Sequence, residues 1–303
     1  MSPKKIPLLI ISGLTATGKT SLAVNLAKKY NGHLVSADSR QIYRGLDIGT
    51  GKDHPPGFPI SLIDIINPDQ VFSVADFKLL AENEIKKITK AGQLPIIVGG
   101  TGYYIKSLFS PQTSAVPPHP TFRQIGNHLP LFVLQLGNFF LNHRQYVKLN
   151  NSEKHNPQRL IRKLEITIFP SKKSMPFTSA NYNYLHLCLT ASRQHIRQRI
   201  DQRVKSRLKA GLIAEIKNLL KKYNWSDPGL NTLAYKEFSA YLKHPSAENK
   251  KQAILTWSHD EHAYAKRQLT WFKKQDNLHF FDINKKSFPA SVNKLVSKWY
   301  NKL

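Results

Sequence analysis

Over the first hundred residues, short, near-continuous apolar runs alternate with amphipathic stretches. Residues 8–12, 33–37, 60–65 and 94–98 are runs of the first kind and predict strands buried on both faces. Between them, residues 20–30 put Leu22, Leu26 and Tyr30 on one helical face. Residues 74–90 do the same with Val74, Phe77, Ala81, Ile85 and Ile88. This alternation predicts a parallel sheet with helices on both faces. Ligands of such a fold bind beyond the carboxyl ends of the strands.

After Ser110 the pattern breaks. Residues 111–120 are rich in proline and polar side chains and predict a linker. Residues 113–182 lose the strand–helix alternation and predict a small, mostly helical insertion domain. Alternation then resumes: a strand over 184–189, a long basic helix over 194–222 with Ile196, Ile200 and Val204 as its apolar stripe, a basic and aromatic helix over 246–274, and a last strand over 278–282. The expected organisation is an α/β core from residues 1–112 and 183–303, interrupted by an insertion over 113–182.

Charge narrows the function. The 303 residues carry 45 Lys and Arg against 19 Asp and Glu, a formal net charge of +26. An enzyme acting on small neutral metabolites has no use for that excess, so a polyanionic partner is expected. Cys188, the one cysteine, lies in an apolar run and predicts a buried core thiol; disulfides and cysteine-based zinc sites are excluded. His259 and His262 are spaced for one helix face but lack a third ligand. No apolar run approaches the length of a membrane span, so a soluble, cytoplasmic protein is expected.

Gly13-Leu14-Thr15-Ala16-Thr17-Gly18-Lys19-Thr20 matches the phosphate-loop pattern G-x-x-x-x-G-K-[ST], placed between a predicted strand and a predicted helix. Its glycines let the backbone wrap an anion, and loop amides and the helix N-terminus point at it. Lys19 adds a point charge, and the Thr20 hydroxyl is a candidate ligand for Mg²⁺. A nucleoside triphosphate or a diphosphate on another carrier fits the same cradle.

Three further segments carry a resemblance. They are Asp38-Ser39-Arg40-Gln41-Ile42-Tyr43-Arg44-Gly45-Leu46-Asp47-Ile48-Gly49-Thr50, Pro95-Ile96-Ile97-Val98-Gly99-Gly100-Thr101-Gly102-Tyr103-Tyr104 and Ala265-Lys266-Arg267-Gln268-Leu269-Thr270-Trp271-Phe272. With the phosphate loop, they resemble the tRNA dimethylallyltransferase (isopentenyltransferase) family. Asn156-Pro157-Gln158-Arg159-Leu160-Ile161-Arg162, Arg199-Ile200-Asp201-Gln202-Arg203 and Tyr235-Lys236-Glu237-Phe238 are smaller matches. The chain departs from the family at Leu14 (usually proline), at Gly51-Lys52-Asp53 (usually Ala-Lys-Pro) and at His262 (usually arginine).

The resemblance implies that the phosphate loop, Gly13 to Thr20, holds dimethylallyl diphosphate with Mg²⁺. An adenine of the tRNA anticodon loop would enter from the other side, and its amino group would attack the allylic carbon. Asp38 is implied as the carboxylate that takes the amino proton, Thr101 as the channel threonine, and Arg203 as a cation on the leaving diphosphate. Asp38, Ser39, Arg40, Gln41, Thr101, Arg123, Gln158, Arg159, Leu160, Ile161 and Arg162 are the implied tRNA contacts, and a monomer is expected. The bare phosphate loop also suits a small-molecule kinase or a non-catalytic RNA-binding nucleotide switch. The kinase accounts for neither the Asp38–Tyr43 segment nor the net charge, and the complete set of candidate catalytic positions argues against the switch.

Overall fold

Leu8, Leu9, Ile10 and Ile11 are consecutive and fully buried. A strand inside a sheet covered on both faces accommodates such a run, and Leu9, Ile10 and Ile11 pair in parallel with a neighbouring strand on each side. The structure, a computed structural model, describes residues 5–110, 116, 119–170 and 182–303. The chain falls into two compact units, Met1–Ser110 with Ala180–Leu303, and Pro111–Ser179.

The larger unit begins with β1 (Ile6–Gly13), α1 (Lys19–Lys29), β2 (Gly32–Ser36), β3 (Ile60–Ser61), α2 (Val74–Lys90), β4 (Leu94–Val98) and α3 (Gly102–Ser107). The smaller unit holds α4 (Pro120–His128), α5 (Leu131–Leu141), α6 (His143–Tyr146), α7 (Asn151–Lys154) and α8 (Pro157–Ile168). The chain then continues through β5 (Tyr182–Thr190), α9 (Arg193–Lys209), α10 (Leu212–Leu219), a 3₁₀ turn at Lys236–Phe238, α11 (Ser239–Lys243), α12 (Ala247–Phe272), β6 (His279–Asp282) and α13 (Phe288–Tyr300).

The strands form one sheet in the order β3-β2-β4-β1-β5-β6, and every neighbouring pair is parallel. The two-residue period of β1 divides its side chains between two cores. Leu8 and Ile10 join Phe77, Ala81 and Ile85 of α2 and Tyr104 and Ile105 of α3. Leu9 and Ile11 join Ala23, Leu26 and Ala27 of α1 and Val292 and Val296 of α13. A third cluster ties α9, α10 and α12 together through Ile196, Ile200, Val204, Leu212, Ile216 and Trp257. The start of α2 is fixed by a reciprocal cap: the Ser73 hydroxyl accepts from the Asp76 amide, and the Asp76 carboxylate accepts from the Ser73 amide.

Several elements differ from the sequence-based expectation; the short helices α3 and α11 are not among those expected. The strand expected over 60–65 pairs only at Ile60 and Ser61, because Leu62 and Asp64 take left-handed backbone (φ 65° and 57°) that no strand tolerates. The helix expected over 194–222 is broken at Gly211 (φ 100°) into α9 and α10. Helix α13 is not among the expected elements, although Val292, Val296 and Trp299 carry a helical period. The linker expected over 111–120 lies largely outside the described residues.

The smaller unit has its own core of Leu134, Leu160, Ile161 and Leu164. Beside it the side chain of Glu165, fully buried, accepts from Arg123 Nε and Nη2 (both 2.8 Å), from the His119 amide (2.6 Å) and from Arg162. Burial alone would raise this carboxyl's pKa; the two guanidinium groups and the amide pull it down to about 2.

Candidate active site

The loop after β1 is shaped by close backbone approach. A side chain at Gly13 (φ 136°) would meet the Leu189 carbonyl oxygen of β5 at 2.2 Å. Gly18 (φ 80°) turns the chain into α1, and Ala16 (φ 62°) also takes the left-handed region. Within the loop the Leu14 carbonyl accepts from Thr17 Oγ1 (2.8 Å) and from Lys19 Nζ (2.6 Å), while the Leu14 amide donates to Leu189 O. Burial, then the neighbouring Arg203 cation, push the Lys19 ammonium down to about 8.

Two other elements grip this loop. Helix α9 presents Arg199, Arg203 and Arg207 one turn apart on one face. Arg199 Nε donates to Ala16 O (2.5 Å) and Arg203 Nη1 to Thr15 Oγ1 (2.9 Å). From α12, Gln268 accepts from the Thr15 amide (2.8 Å) and donates to Gly100 O (3.0 Å). It thereby fixes the phosphate loop against the Gly99-Gly100-Thr101 turn that ends β4.

Asp38 follows β2 and is half-buried; its Oδ1 accepts from the Arg40 amide (2.9 Å). Thr101 Oγ1 accepts from the Ser39 amide (3.0 Å) and donates to Ser39 Oγ (3.3 Å). The carboxyl ends of β1, β2 and β4 thus bring the phosphate loop, Asp38, Ser39 and Thr101 together, as a parallel sheet places its chemistry.

Two cavities meet at Asp38. The first, about 250 Å³, is lined by Lys19, Thr20, Asp38, Asp53, Arg199 and Arg203, among others. The second, about 310 Å³, is lined by Asp38, Arg40, Arg207, Glu261, Tyr264 and Arg267, among others. Thr15, Asp38 and Thr50 line both. The first is a cationic cradle of the size of a small diphosphate. The second combines two carboxylates, an aromatic ring and three arginines, a set suited to a base carrying phosphates. Thr20 and Asp53 give the first cavity hard oxygen donors of the kind Mg²⁺ takes beside phosphate. Among the described residues no group of three or more His, Cys, Asp and Glu side chains is placed to hold a metal ion unaided.

The residues expected in the smaller unit divide. Gln158 and Arg159 are exposed on α8. Leu160 and Ile161, expected as RNA contacts, point the other way and are buried in the core, so their side chains cannot touch RNA. Arg123 and Arg162 are half-buried and turned onto Glu165. Arg199, Arg207, Tyr264, Arg267 and Asp53 line these cavities and Gln268 braces the loop, and the sequence reading gives none of them a role, although Arg199, Arg267, Gln268 and Asp53 fall in segments it quotes. For Arg199 and Arg207 a signal is present: their four-residue spacing about Arg203 puts all three on one helical face.

A family model described as IPP transferase matches residues 41–275, and one described as isopentenyl transferase matches residues 6–59. The chain is 36% identical over 296 residues to the tRNA dimethylallyltransferase of Alkaliphilus oremlandii, covering 91% of each. The structure of the full-length tRNA isopentenylpyrophosphate transferase of Bacillus halodurans superposes with a TM-score of 0.73 at 33% identity, covering 98% of both chains. A eukaryotic dimethylallyltransferase acting on tRNA shares the fold, with a TM-score of 0.79 at 24% identity over 97% of this chain and 80% of that one. On the length and identity of these matches, the chain belongs to the IPP transferase family.

Proposed function

We propose that this protein is an enzyme that transfers a dimethylallyl group from dimethylallyl diphosphate to tRNA. The acceptor is the N6 amino group of the adenine 3′ to the anticodon, and diphosphate is released. The observation that carries the reading is the position of Asp38, a carboxylate lining both a cationic cradle and a second, arginine-rimmed cavity. The names of its relatives, tRNA dimethylallyltransferases, support the substrate pair.

In this reading the diphosphate lies in the first cavity. Lys19 exchanges its bond to the Leu14 carbonyl for the phosphate oxygens, and Arg199 and Arg203 flank them. These charges are fixed before the reaction, so they stabilise the negative charge that grows on the leaving group. Thr20 and Asp53 would hold Mg²⁺ there, and a bound Mg²⁺ supplies further neutralisation of the diphosphate.

The adenine, out of its stack, enters the second cavity beside Tyr264. Its amino group is a weak nucleophile because its lone pair is delocalised into the ring. Asp38 accepts a hydrogen bond from it and takes its proton as the new N–C bond forms and the allylic C–O bond breaks. Ser39, Arg40, Gln41 and Thr101 hold the base and its neighbours. Gln158 and Arg159 meet the RNA from the insertion. Both cavities are built from a single chain, so the reading needs one copy only, and a tRNA substrate implies a cytoplasmic protein. No helix among the described residues is long and apolar enough to cross a membrane.

The test is incubation with labelled dimethylallyl diphosphate and a tRNA transcript, and separately with labelled ATP. Label moving to tRNA, lost when the target adenine is replaced by guanine, is the expected result. Phosphate moving from ATP to a small acceptor, with no prenyl transfer, would replace this reading with a kinase.

A further inference from the structure

The turn over residues 47–51 lines both cavities, yet it has no regular secondary structure to hold it. Gly49 and Thr50 face the second cavity; Thr50 and Gly51 face the first. Its own bonds are few, Gly51 N–H to Ile48 O (3.1 Å) and Lys52 N–H to Asp47 O (3.0 Å), and a larger set of polar contacts comes from elsewhere in the same unit. Glu215 of α10 accepts from three successive amides: Asp47 (3.1 Å) and Ile48 (2.7 Å) on Oε2, and Gly49 (3.0 Å) on Oε1. The Tyr235 hydroxyl donates to Oε1 as well (2.6 Å). From the opposite side Arg207 donates to the carbonyls of Gly49 (3.0 Å) and Thr50 (3.3 Å), and Gln41 Nε2 donates to Gly51 O (3.2 Å).

Space reinforces the clamp. A side chain at Gly49 would strike the Tyr235 ring at 2.4 Å, and one at Gly51 (φ 63°) would strike Arg207 at 2.0 Å. Burial, then the adjacent Glu215 charge, raise the Tyr235 phenol far above its ordinary pKa, so it remains a donor at any working pH. One carboxylate therefore satisfies four donors. Three of them are backbone amides of a turn that no helix or strand would otherwise order.

We propose that Glu215 is a positioning residue for prenyl transfer. By holding the amides of Asp47, Ile48 and Gly49, it fixes the wall shared by the donor and acceptor cavities, and with it Gln41, so that the allylic carbon and the amino nitrogen meet in line. Glu215 lines neither cavity itself. Its effect falls on the geometry of the reaction, and the diphosphate contacts, which lie on the phosphate loop and α9, are left in place. The inference rests on the assignment of the two cavities to donor and acceptor.

Glu215→Gln is the sharpest variant. It keeps the shape but turns one of the two accepting oxygens into a donor, so two of the four donors lose their acceptor. Single-turnover transfer at saturating donor and tRNA is expected to fall about ten- to a hundredfold, as small misplacements of reacting groups do. Donor KM should stay within about threefold, since uniform binding is untouched. Hydrogen exchange should quicken in a peptide covering 46–52 and stay slow in one covering the phosphate loop. Tyr235→Phe removes a single donor, keeps the ring against Gly49, and should move rate and exchange the same way by less.

A rate per folded molecule within about twofold of the unmodified enzyme in Glu215→Gln, or a raised KM at unchanged rate, would overturn the inference. If Glu215→Gln does not fold, Tyr235→Phe decides alone, and an unchanged rate together with unchanged exchange would overturn it. Lys19→Ala and Asp38→Asn serve as controls. If they too retain activity, the cavity assignment has failed; if they are inactive while both Glu215 and Tyr235 variants are not, only the role of Glu215 has failed.

Discussion

At the scale of single residues, the proposed reading gives Asp38 the amino proton and Lys19 the diphosphate, and the two roles make separable predictions. Asp38→Asn keeps the size of the side chain but cannot take a proton near neutral pH. Loss of a positioned base commonly costs about 10²- to 10⁴-fold, and that fall is expected in single-turnover transfer at saturating substrates, where binding defects drop out. A rate within a few-fold of the unmodified enzyme would remove Asp38 from the chemistry. Lys19 predicts a pH dependence. With its ammonium pushed down to about 8, free enzyme loses this charge as pH rises through that value, and diphosphate must then be bound by a neutral amine or at the cost of a proton taken up. Donor affinity should be flat below about pH 7 and weaken above about pH 8. Calorimetric titration with dimethylallyl diphosphate across that range checks it, and Lys19→Ala should bind weakly with that step gone. Lys19, Thr20 and Asp38 are legible in the sequence because a phosphate loop and a strand-end carboxylate are local patterns. Glu215 is not, because nothing in its own helix signals that it meets a turn 166 residues away.

At the scale of elements, legibility depends on whether an element is shaped by its own side chains or by its neighbours. β1 and β4 announce themselves through apolar runs, and α2 through five inward positions. β3 is shorter than its apolar run because Leu62 and Asp64 leave extended backbone for reasons set by tertiary contacts: the Asp64 carboxylate is held by the buried ammonium of Lys52, which also reaches Asp47. In α8, the family-like run Gln158 to Arg162 does not show which side chains face outward until the helix phase is known; Leu160 and Ile161 prove to be core. The same helix supplies a stability prediction. Glu165 is the shared acceptor for Arg123, Arg162 and the His119 amide beside the insertion core, and leaving such donors without their acceptor typically costs about 1 to 3 kcal/mol. Glu165→Ala should therefore loosen the insertion, seen as faster hydrogen exchange in a peptide covering 157–168, with the β1 peptide unchanged. The pH sign follows from its lowered pKa. The Glu165 contribution is complete above the ordinary carboxylate value near 4.5 and is lost as pH falls toward about 2, so acid should open the insertion of the unmodified protein in that window.

At the scale of the whole molecule the dominant fact is the net charge of +26. The excess is not confined to one unit. Over 111–179 the sole acids are Glu153 and Glu165, set against basic residues that include Arg144, Lys148, Arg159 and Lys163. In the larger unit α9 carries seven Lys and Arg against a single acid, Asp201. A polyanion engaging such a surface displaces its condensed counterions, and the entropy of their release falls as bulk salt rises. The small donor behaves differently. In the proposed reading it is a compact diphosphate held by a few fixed groups of the first cavity, so its affinity should depend on salt far less steeply. Raising monovalent salt should therefore weaken tRNA binding by orders of magnitude while the donor affinity changes by a few-fold. A log–log plot of tRNA affinity against salt should have a slope of about −0.7 to −0.9 for each phosphate contacted. Arg159→Ala, exposed on α8, should lower that slope by about one contact and weaken all tRNAs alike, because a phosphate contact carries no sequence information. Filter binding of transcripts at several salt concentrations gives both numbers. A tRNA slope near zero would mean that the positive charge has another purpose and that recognition rests on the base-binding cavity alone.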